Sequence, residues 1–289
     1  MRPSPRIVKP RFVVLGMAQD AGLPQAGCRR ACCARVRHDP KLSRRAACAA
    51  VVESGKRWLI DATPDFGSQL AFLDRRFPGS LEGVFLTHGH MGHYAGLLQL
   101  GREAMNARGV DVHAMGKMAA LLRGNAPWEQ LVRNKNIDIR PLRDHRAVLL
   151  APSLSITPLS VPHRAEYTET VAFRVAGPRR SVLWLPDIDR WELWNTPLED
   201  AIAAVDAAWL DATFFSLDEL PFRPAAEIPH PPLAETIERL SALPARERAK
   251  VRFIHLNHTN PAHNPESREG RLVRARGFQV AKEGETFQL

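Results

Sequence analysis

The sequence predicts an α/β fold in which two packed β-sheets lie between outer helices. Short apolar runs rich in β-branched residues alternate with longer stretches of helical periodicity. Hairpin-like pairs of strands dominate the first part of the chain, and helix–strand alternation follows later. With 289 residues, of which 45% are hydrophobic and 25% charged, the chain can bury a sizeable core.

The strands are predicted from ten short apolar runs, most of them bounded by Gly, Pro or Asp. They cover residues 12–16, 49–53, 58–61, 83–87, 110–114, 154–161, 170–175, 181–185, 207–210 and 251–255. The clearest helix is predicted at 231–243, because prolines open it and Leu233, Ile237 and Leu240 recur at helical spacing. Further helices are predicted at 94–106, 128–133 and 265–276.

The chain shows no internal repeat, low-complexity linker or shift in composition. We therefore expect a single domain over residues 1–289, with the least regular segment, 101–146, as a candidate lid-like insertion. No apolar run is long enough to span a bilayer and no signal-peptide pattern is present, so we expect a cytoplasmic protein without a membrane partner.

The formal net charge is +9, and seven Lys or Arg residues fall within 29–45. Such a charge could favour an anionic partner, although scattered arginines are more often solvated. Aromatic residues do not interleave with the basic ones as they do in single-strand binders, so nucleic acid is not the expected partner. We expect a small-molecule or peptide-derived substrate; the sequence carries no signal for the oligomeric state.

Three histidines, His88, His90 and His93, follow the predicted strand 83–87 in the run Thr-His-Gly-His-Met-Gly-His. Neutral imidazole is the commonest borderline metal ligand, and one loop here projects several rings. The alternative is a run of solvated loop histidines. Because suitable partners occur downstream, the cluster predicts a catalytic metal site.

Those partners are polar residues at or just after the ends of later predicted strands. They are His163, Asp187, Asp211 and His255. A single His or Asp at such a position is usually a turn or cap residue. Together with the histidine cluster, the four suit a site built along one rim of a sheet.

At this point the chain resembles the metallo-β-lactamase superfamily, whose signature is His-x-His-x-Asp-His after a strand, then a separate His, an Asp and a final His. The resemblance implies a four-layer αββα sandwich with metals at its edge. It also implies catalytic roles for Asp187 and His255. The metal ligands that it implies are His88, His90, His93, His163, Asp187 and His255.

One departure from the signature concerns its Asp, which is Gly92 in this chain. By analogy, His88, His90 and His163 would hold a first metal and Asp187 would bridge. The second metal would keep His93, His255 and Asp187 but lack a carboxylate. We therefore expect a complete first site and a weakened second one.

The four cysteines, Cys28, Cys32, Cys33 and Cys48, all lie early in the chain. Without a secretory signal, disulfides are not expected, and three clustered thiols suggest a structural zinc site. Buried or free thiols are the alternative. Cys48 lies in an apolar run and is assigned to the core.

A closer resemblance is to the pyrroloquinoline quinone synthesis protein B group and the related cyclic-phosphate phosphodiesterases. It is carried by four runs, which begin at Gln19, Pro162, Leu185 and His255. These groups hold a structural zinc with three cysteines and a histidine. The resemblance implies that Cys28, Cys32, Cys33 and His258 hold it here, although the cysteine spacing differs.

Four further carboxylates could support the metal ligands or contact substrate. The resemblance makes Asp61 a support for the metal loops, and Asp65 follows the same strand. Asp189 and Asp211 could orient ligating imidazoles, with helix caps or turns as the equal alternative. The remaining histidines, including His230, have no evident partners and are interpreted as structural or surface residues.

The leading functional hypothesis is a metal-dependent hydrolase that uses a metal-activated water on an ester or phosphodiester-type substrate. Its cofactors would be a structural zinc and a catalytic zinc, with iron or manganese as alternatives in the active site. The second hypothesis is an iron-dependent oxygenase or hydroxylase in the synthesis of a pyrroloquinoline quinone-like cofactor. The third is a non-enzymatic metal-binding protein.

Overall fold

The computed structural model describes residues 9–220, 224 and 227–289. Within these described residues, fourteen strands form two sheets of seven strands each. The strands of the first sheet are β1 (Arg11–Gly16), β2 (Cys48–Glu53), β3 (Lys56–Ile60), β4 (Ser80–Phe85), β5 (Val110–Ala114), β6 (Ile137–Pro141) and β14 (Thr286–Gln288). Those of the second are β7 (Val148–Ala151), β8 (Leu154–Ser160), β9 (Val171–Ala176), β10 (Ser181–Leu185), β11 (Ala207–Asp211), β12 (Val251–Ile254) and β13 (Gln279–Val280).

The two sheets share one design, an antiparallel half followed by a parallel half. The first has the order β14-β1-β2-β3-β4-β5-β6 and becomes parallel from β3 onward. The second has the order β13-β12-β11-β10-β9-β8-β7 and is parallel from β10 to β13. Because parallel strands end at the same edge of a sheet, each sheet gathers several strand ends at one rim.

The strands have continuous apolar runs because both faces of each sheet are covered. In β1, Phe12 lies in the core between the sheets, whereas Val13 and Leu15 pack against the outer helices of the first sheet. The Phe12 ring contacts Trp209 and Trp184 of the second sheet, with centroids 4.7 Å and 5.6 Å away. These aromatic contacts tie the two sheets together.

Helices form the outer layers. In the described residues they are α1 (Ala31–His38), α2 (Phe66–Arg76), α3 (Met91–Tyr94), α4 (Gly116–Gly124), α5 (Trp128–Arg133), α6 (Leu198–Ala203), α7 (Leu233–Leu240), α8 (Ala245–Arg248) and α9 (Arg268–Ala275). The first sheet is covered by α2, α4 and α5, and the second by α6, α7 and α9. This arrangement confirms the predicted αββα sandwich. Within the described part of the chain, none of the helices is long and apolar enough to cross a membrane.

Two expectations need correction. Segment 101–146 contributes β5, β6 and two covering helices to the first sheet, so it is not a lid. The helix predicted at 94–106 is instead the end of α3, a 3₁₀ segment at Ala95–Leu100 and turns. Gly96 packs its Cα against the carbonyl of Thr63, where a Cβ would lie only 2.1 Å away. This close approach binds the segment to the neighbouring loop.

Candidate metal centre

The histidine loop is positioned by the ends of two parallel strands. Asp61 directly follows β3, and the loop from Leu86 to His93 follows β4. The buried Asp61 carboxylate accepts hydrogen bonds from the Thr87 N–H at 2.8 Å and the Thr87 hydroxyl at 3.0 Å. Its second oxygen lies 2.8 Å from Nδ1 of His93. Asp61 therefore links the end of β3 to the histidine loop.

Three imidazoles form a first group of ligand atoms. Nε2 of His88 lies 2.9 Å from Nδ1 of His90, and His163 completes a set whose ligand atoms all lie within 4.8 Å. His163 follows β8, and its Nδ1 lies 2.9 Å from an oxygen of Asp189. Asp189 thus lies directly beside the ring of a potential ligand.

Asp187 lies between this group and a second one. Its Oδ1 is 3.7 Å from Nε2 of His163. Its Oδ2 is 3.3 Å from Nε2 of His93 and 3.5 Å from Nε2 of His255. Burial acts to raise the pKa of Asp187, but the surrounding imidazoles, His255 and His93 first, hold that pKa well below its usual range. The carboxylate is therefore ionised at neutral pH.

The second group contains a residue that the sequence interpretation missed. Oδ1 of Asp20 lies 3.1 Å from Nε2 of His93 and 3.3 Å from Nε2 of His255. Burial opposes ionisation of Asp20, but hydrogen bonds and charges from His255 and His93 keep its pKa well below the ordinary value. On the other side of its ring, Nδ1 of His255 lies 3.0 Å from the Thr213 hydroxyl.

His230 also lies at this centre, beside partners that the sequence did not indicate. One of its ring nitrogens lies within 4.8 Å of ligand atoms on His163 and Asp187. Its Nδ1 is 2.8 Å from Asp211, which also accepts hydrogen bonds from the N–H and hydroxyl of Thr213. Asp211 thus joins His230 to Thr213 beside the centre.

Asp65 has a different role from the one considered. Its carboxylate accepts a hydrogen bond from the Ala46 N–H at 2.8 Å, and its backbone lies at the start of α2. This contact fixes the backbone beside the loop that carries Asp20.

The chemistry of these donors suits a divalent metal. Imidazole nitrogens and carboxylate oxygens are ligands for zinc and for several other first-row ions. Among the residues that the structure describes, the buried atoms Nε2 of His163 and Oδ2 of Asp187 have no hydrogen-bond partner. Unpaired buried polar atoms are costly in a folded protein, and cations bound among these ligand atoms would pair them.

The cysteines form a separate group about the loop after β12. Ligand atoms of Cys28, Cys32, Cys33 and His258 all lie within 4.8 Å of one another. Nδ1 of His258 is 3.5 Å from the sulfur of Cys32 and 3.4 Å from that of Cys33. Cys48 is buried in β2, as expected for a core residue. The four clustered residues could hold one tetrahedral zinc ion.

Sequence comparison identifies the class to which this centre belongs. The family model described as the beta-lactamase superfamily domain matches residues 56–256, which include the histidine loop, Asp187 and His255. The chain is therefore a member of the metallo-β-lactamase superfamily, most of whose members are hydrolases.

Within that class, the chain resembles PqqB proteins. It is 28% identical to coenzyme PQQ synthesis protein B of Xanthomonas campestris pv. campestris, over 96% of this chain and all of the relative. The crystal structure of zinc-bound PqqB from Methylobacterium extorquens superposes with a TM-score of 0.81 at 25% identity, covering 96% of this chain and all of that one. A diphosphatase of the PhnP family shares the fold, with a TM-score of 0.71 at 23% identity and 97% coverage of both chains.

Proposed function

We propose that this protein is a metal-dependent hydrolase that directs a metal-activated water at an ester or phosphodiester-type substrate. The observation that carries the proposal is the convergence of His88, His90, His163 and Asp187 with two buried ligand atoms left unpaired. Membership of the superfamily and the fold shared with a PhnP-family diphosphatase support it.

The three imidazoles His88, His90 and His163 would hold the ion. A bound divalent metal supplies a water with a pKa lowered to about 7 and polarises the substrate oxygen under attack. Asp187 is ionised, and its carboxylate would accept a hydrogen bond from the attacking water and orient that water toward the substrate.

His230 suits the donation of a proton to the leaving group. It borders the same centre, and Asp211 at 2.8 Å from Nδ1 fixes the orientation of its ring. At the exposed rim, Oε2 of Glu166 lies 3.5 Å from His90, and its Oε1 is 3.6 Å from the Arg164 guanidinium. Arg164 can therefore meet an anionic group on the substrate, in keeping with the net charge of +9.

The cysteine cluster has a structural part in this proposal. A zinc ion held by Cys28, Cys32, Cys33 and His258 would join the α1 segment to the loop after β12. The sulfur–nitrogen separations of 3.4 and 3.5 Å match the edge of about 3.5 Å expected for tetrahedral zinc with ordinary Zn–S and Zn–N bonds. Because His258 is three residues beyond His255, this ion would also steady the active-site loop.

The test compares metal-free protein with protein reloaded with Zn²⁺, Mn²⁺ or Fe²⁺. Turnover of bis(p-nitrophenyl) phosphate and p-nitrophenyl esters is measured for each form. We expect hydrolysis that depends on the metal and is lost in His88→Ala, whereas His145→Ala, a change at an exposed histidine, leaves it intact. Equal activity with and without the active-site metal, or in His88→Ala, would contradict the proposal.

A second candidate function is an iron-dependent oxygenase or hydroxylase in quinone-cofactor synthesis. The observation that favours it is the 28% identity to coenzyme PQQ synthesis protein B across 96% of this chain. On this reading the substrate is a small molecule or a peptide-derived precursor, and the reaction takes place in the cytoplasm. Oxygen uptake by the Fe²⁺-loaded protein with a tyrosine-derived precursor, without hydrolysis in the zinc-loaded form, would favour this function over the hydrolase.

A further inference from the structure

The space in which the signature carboxylate would lie is filled by another residue. A Cβ atom built on Gly92 would lie 2.5 Å from both Cα and Cβ of Asp20 and 2.6 Å from its Cγ. No side chain can coexist with Asp20 at such distances. Gly92 is therefore the residue that lets the loop carrying Asp20 reach the histidines.

The Asp20 carboxylate faces His93 and His255, the two histidines that would share a metal with the signature Asp. Four separations link Oδ1 of Asp20 and Oδ2 of Asp187 to Nε2 of His93 and of His255, and they run from 3.1 to 3.5 Å. Four ligands placed tetrahedrally about 2.0–2.1 Å from a zinc ion are separated by about 3.3–3.4 Å. The four separations therefore match four of the six edges of such a tetrahedron.

The loop is held on both sides. The Gln19 N–H donates a hydrogen bond of 2.9 Å to the carbonyl of Leu256. Leu256 directly follows His255 in the chain. Gly22 closes a turn by donating to the Gln19 carbonyl at 2.7 Å, and its φ of +70° lies in the left-handed region that glycine accepts without strain. Asp20 sits inside this turn, so its carboxylate is positioned before any ion binds.

We propose that Asp20 supplies the carboxylate ligand of a second active-site metal, in place of the residue that is Gly92 here. The second site then consists of Asp20, His93, His255 and a bridging Asp187, and it takes a divalent ion such as Zn²⁺ or Mn²⁺. This inference rests on the proposed metal-dependent function. It replaces the expectation of a weakened second site with that of a complete one.

The test measures metal content and affinity, not activity. Wild-type protein and the variants Asp20→Ala, Asp20→Asn and Gly92→Ala are titrated with Zn²⁺ against a competing chelator, and metal per chain is counted by mass spectrometry. We expect all three variants to hold one ion fewer, with affinity for the second ion reduced by about 100-fold or more, since even supporting residues contribute about 10–100-fold. His90→Ala should instead lose the first ion.

Matched controls separate a ligand effect from damage to the fold. Asp138→Ala changes an exposed carboxylate on β6, and Gly67→Ala adds a Cβ that meets no atom within 4 Å. Both should keep the wild-type metal count. Thermal unfolding identifies any variant that fails to fold, and Asp20→Asn preserves side-chain size where Asp20→Ala does not.

The outcomes also separate this inference from the proposed function. If Asp20→Ala and Asp20→Asn keep the wild-type number and affinity of ions, the inference is overturned while a one-metal hydrolase stands. The same holds if wild-type protein binds a single ion in addition to the cysteine-bound one and loses it in His90→Ala. If the wild-type histidine groups bind no ion, both proposals are overturned.

Discussion

Replacement of Asp61 by Asn tests whether the Asp61 carboxylate determines which ring nitrogen of His93 carries the proton. Asp61 has a φ of +68°, a conformation that Asn tolerates, and the two side chains have nearly the same shape. In the native protein one oxygen of the Asp61 carboxylate accepts a hydrogen bond from the Thr87 N–H. The other oxygen lies 2.8 Å from Nδ1 of His93. The carboxylate thus favours a proton on Nδ1 and leaves Nε2 free to bind a metal.

An amide at this position reverses that preference. Its oxygen must face the Thr87 N–H, because the opposite orientation would point a donor at a donor at a cost of about 1–3 kcal/mol. The amide N–H₂ then faces Nδ1 of His93, which favours a proton on Nε2, the atom 3.1 Å from Asp20. Loss of such a supporting partner weakens metal binding by about 10–100-fold, or about 1.4–2.8 kcal/mol.

The assay is a Zn²⁺ titration of Asp61→Asn against a competing chelator, together with urea unfolding. We expect weaker binding of the ion beside His93, unchanged binding at His88, His90 and His163, and a loss of about 1–3 kcal/mol in the free energy of unfolding from one charge-assisted hydrogen bond. Asp65→Asn is the matched control, since that residue bonds to the Ala46 N–H. Wild-type affinity for every ion in Asp61→Asn would refute this account of the His93 proton.

Three further outcomes are expected. Cys33→Ser should lower the zinc content by one ion per chain and the melting temperature by about 5–10 °C. The control Cys48→Ser should keep the wild-type zinc content. A full zinc content in Cys33→Ser would exclude the cysteine site. Burial lowers the pKa of His113 to about 4 from 6.5, so its contribution to stability is complete above pH 6.5 and is lost as the pH falls toward 4. In His113→Phe, urea unfolding between pH 7 and pH 4 should show up to roughly 3 kcal/mol less acid destabilisation, and an unchanged pH slope would contradict this. Arg164→Ala should raise KM up to about fivefold for an anionic diester but not for a neutral ester; equal effects on both would show that its charge does not meet substrate.

The candidate ligands at strand ends were predictable because the topology of the sheet brings the ends of parallel strands together. His163, Asp187 and His255 follow β8, β10 and β12, which run in the same direction and end at one rim. A short apolar run followed by His or Asp is therefore a readable signal. His230 carried no such signal. It follows no strand and reaches the centre through Asp211, a contact between residues 19 positions apart.

Asp20 was missed because it lies far in sequence from the histidine motif. Its position changes how the departure at Gly92 is interpreted. A signature records which residue types are present along one segment, whereas a metal responds to charge and donor atoms in space. Gly92 alone indicates a lost carboxylate. Because Asp20 lies against it, Gly92 instead indicates space for a carboxylate from 72 positions earlier in the chain. The loop that carries this carboxylate is hydrogen-bonded to the backbone next to His255. Adding a Cβ at residue 92 should therefore affect the second metal about as much as removing the Asp20 carboxylate, because both changes empty the same ligand position.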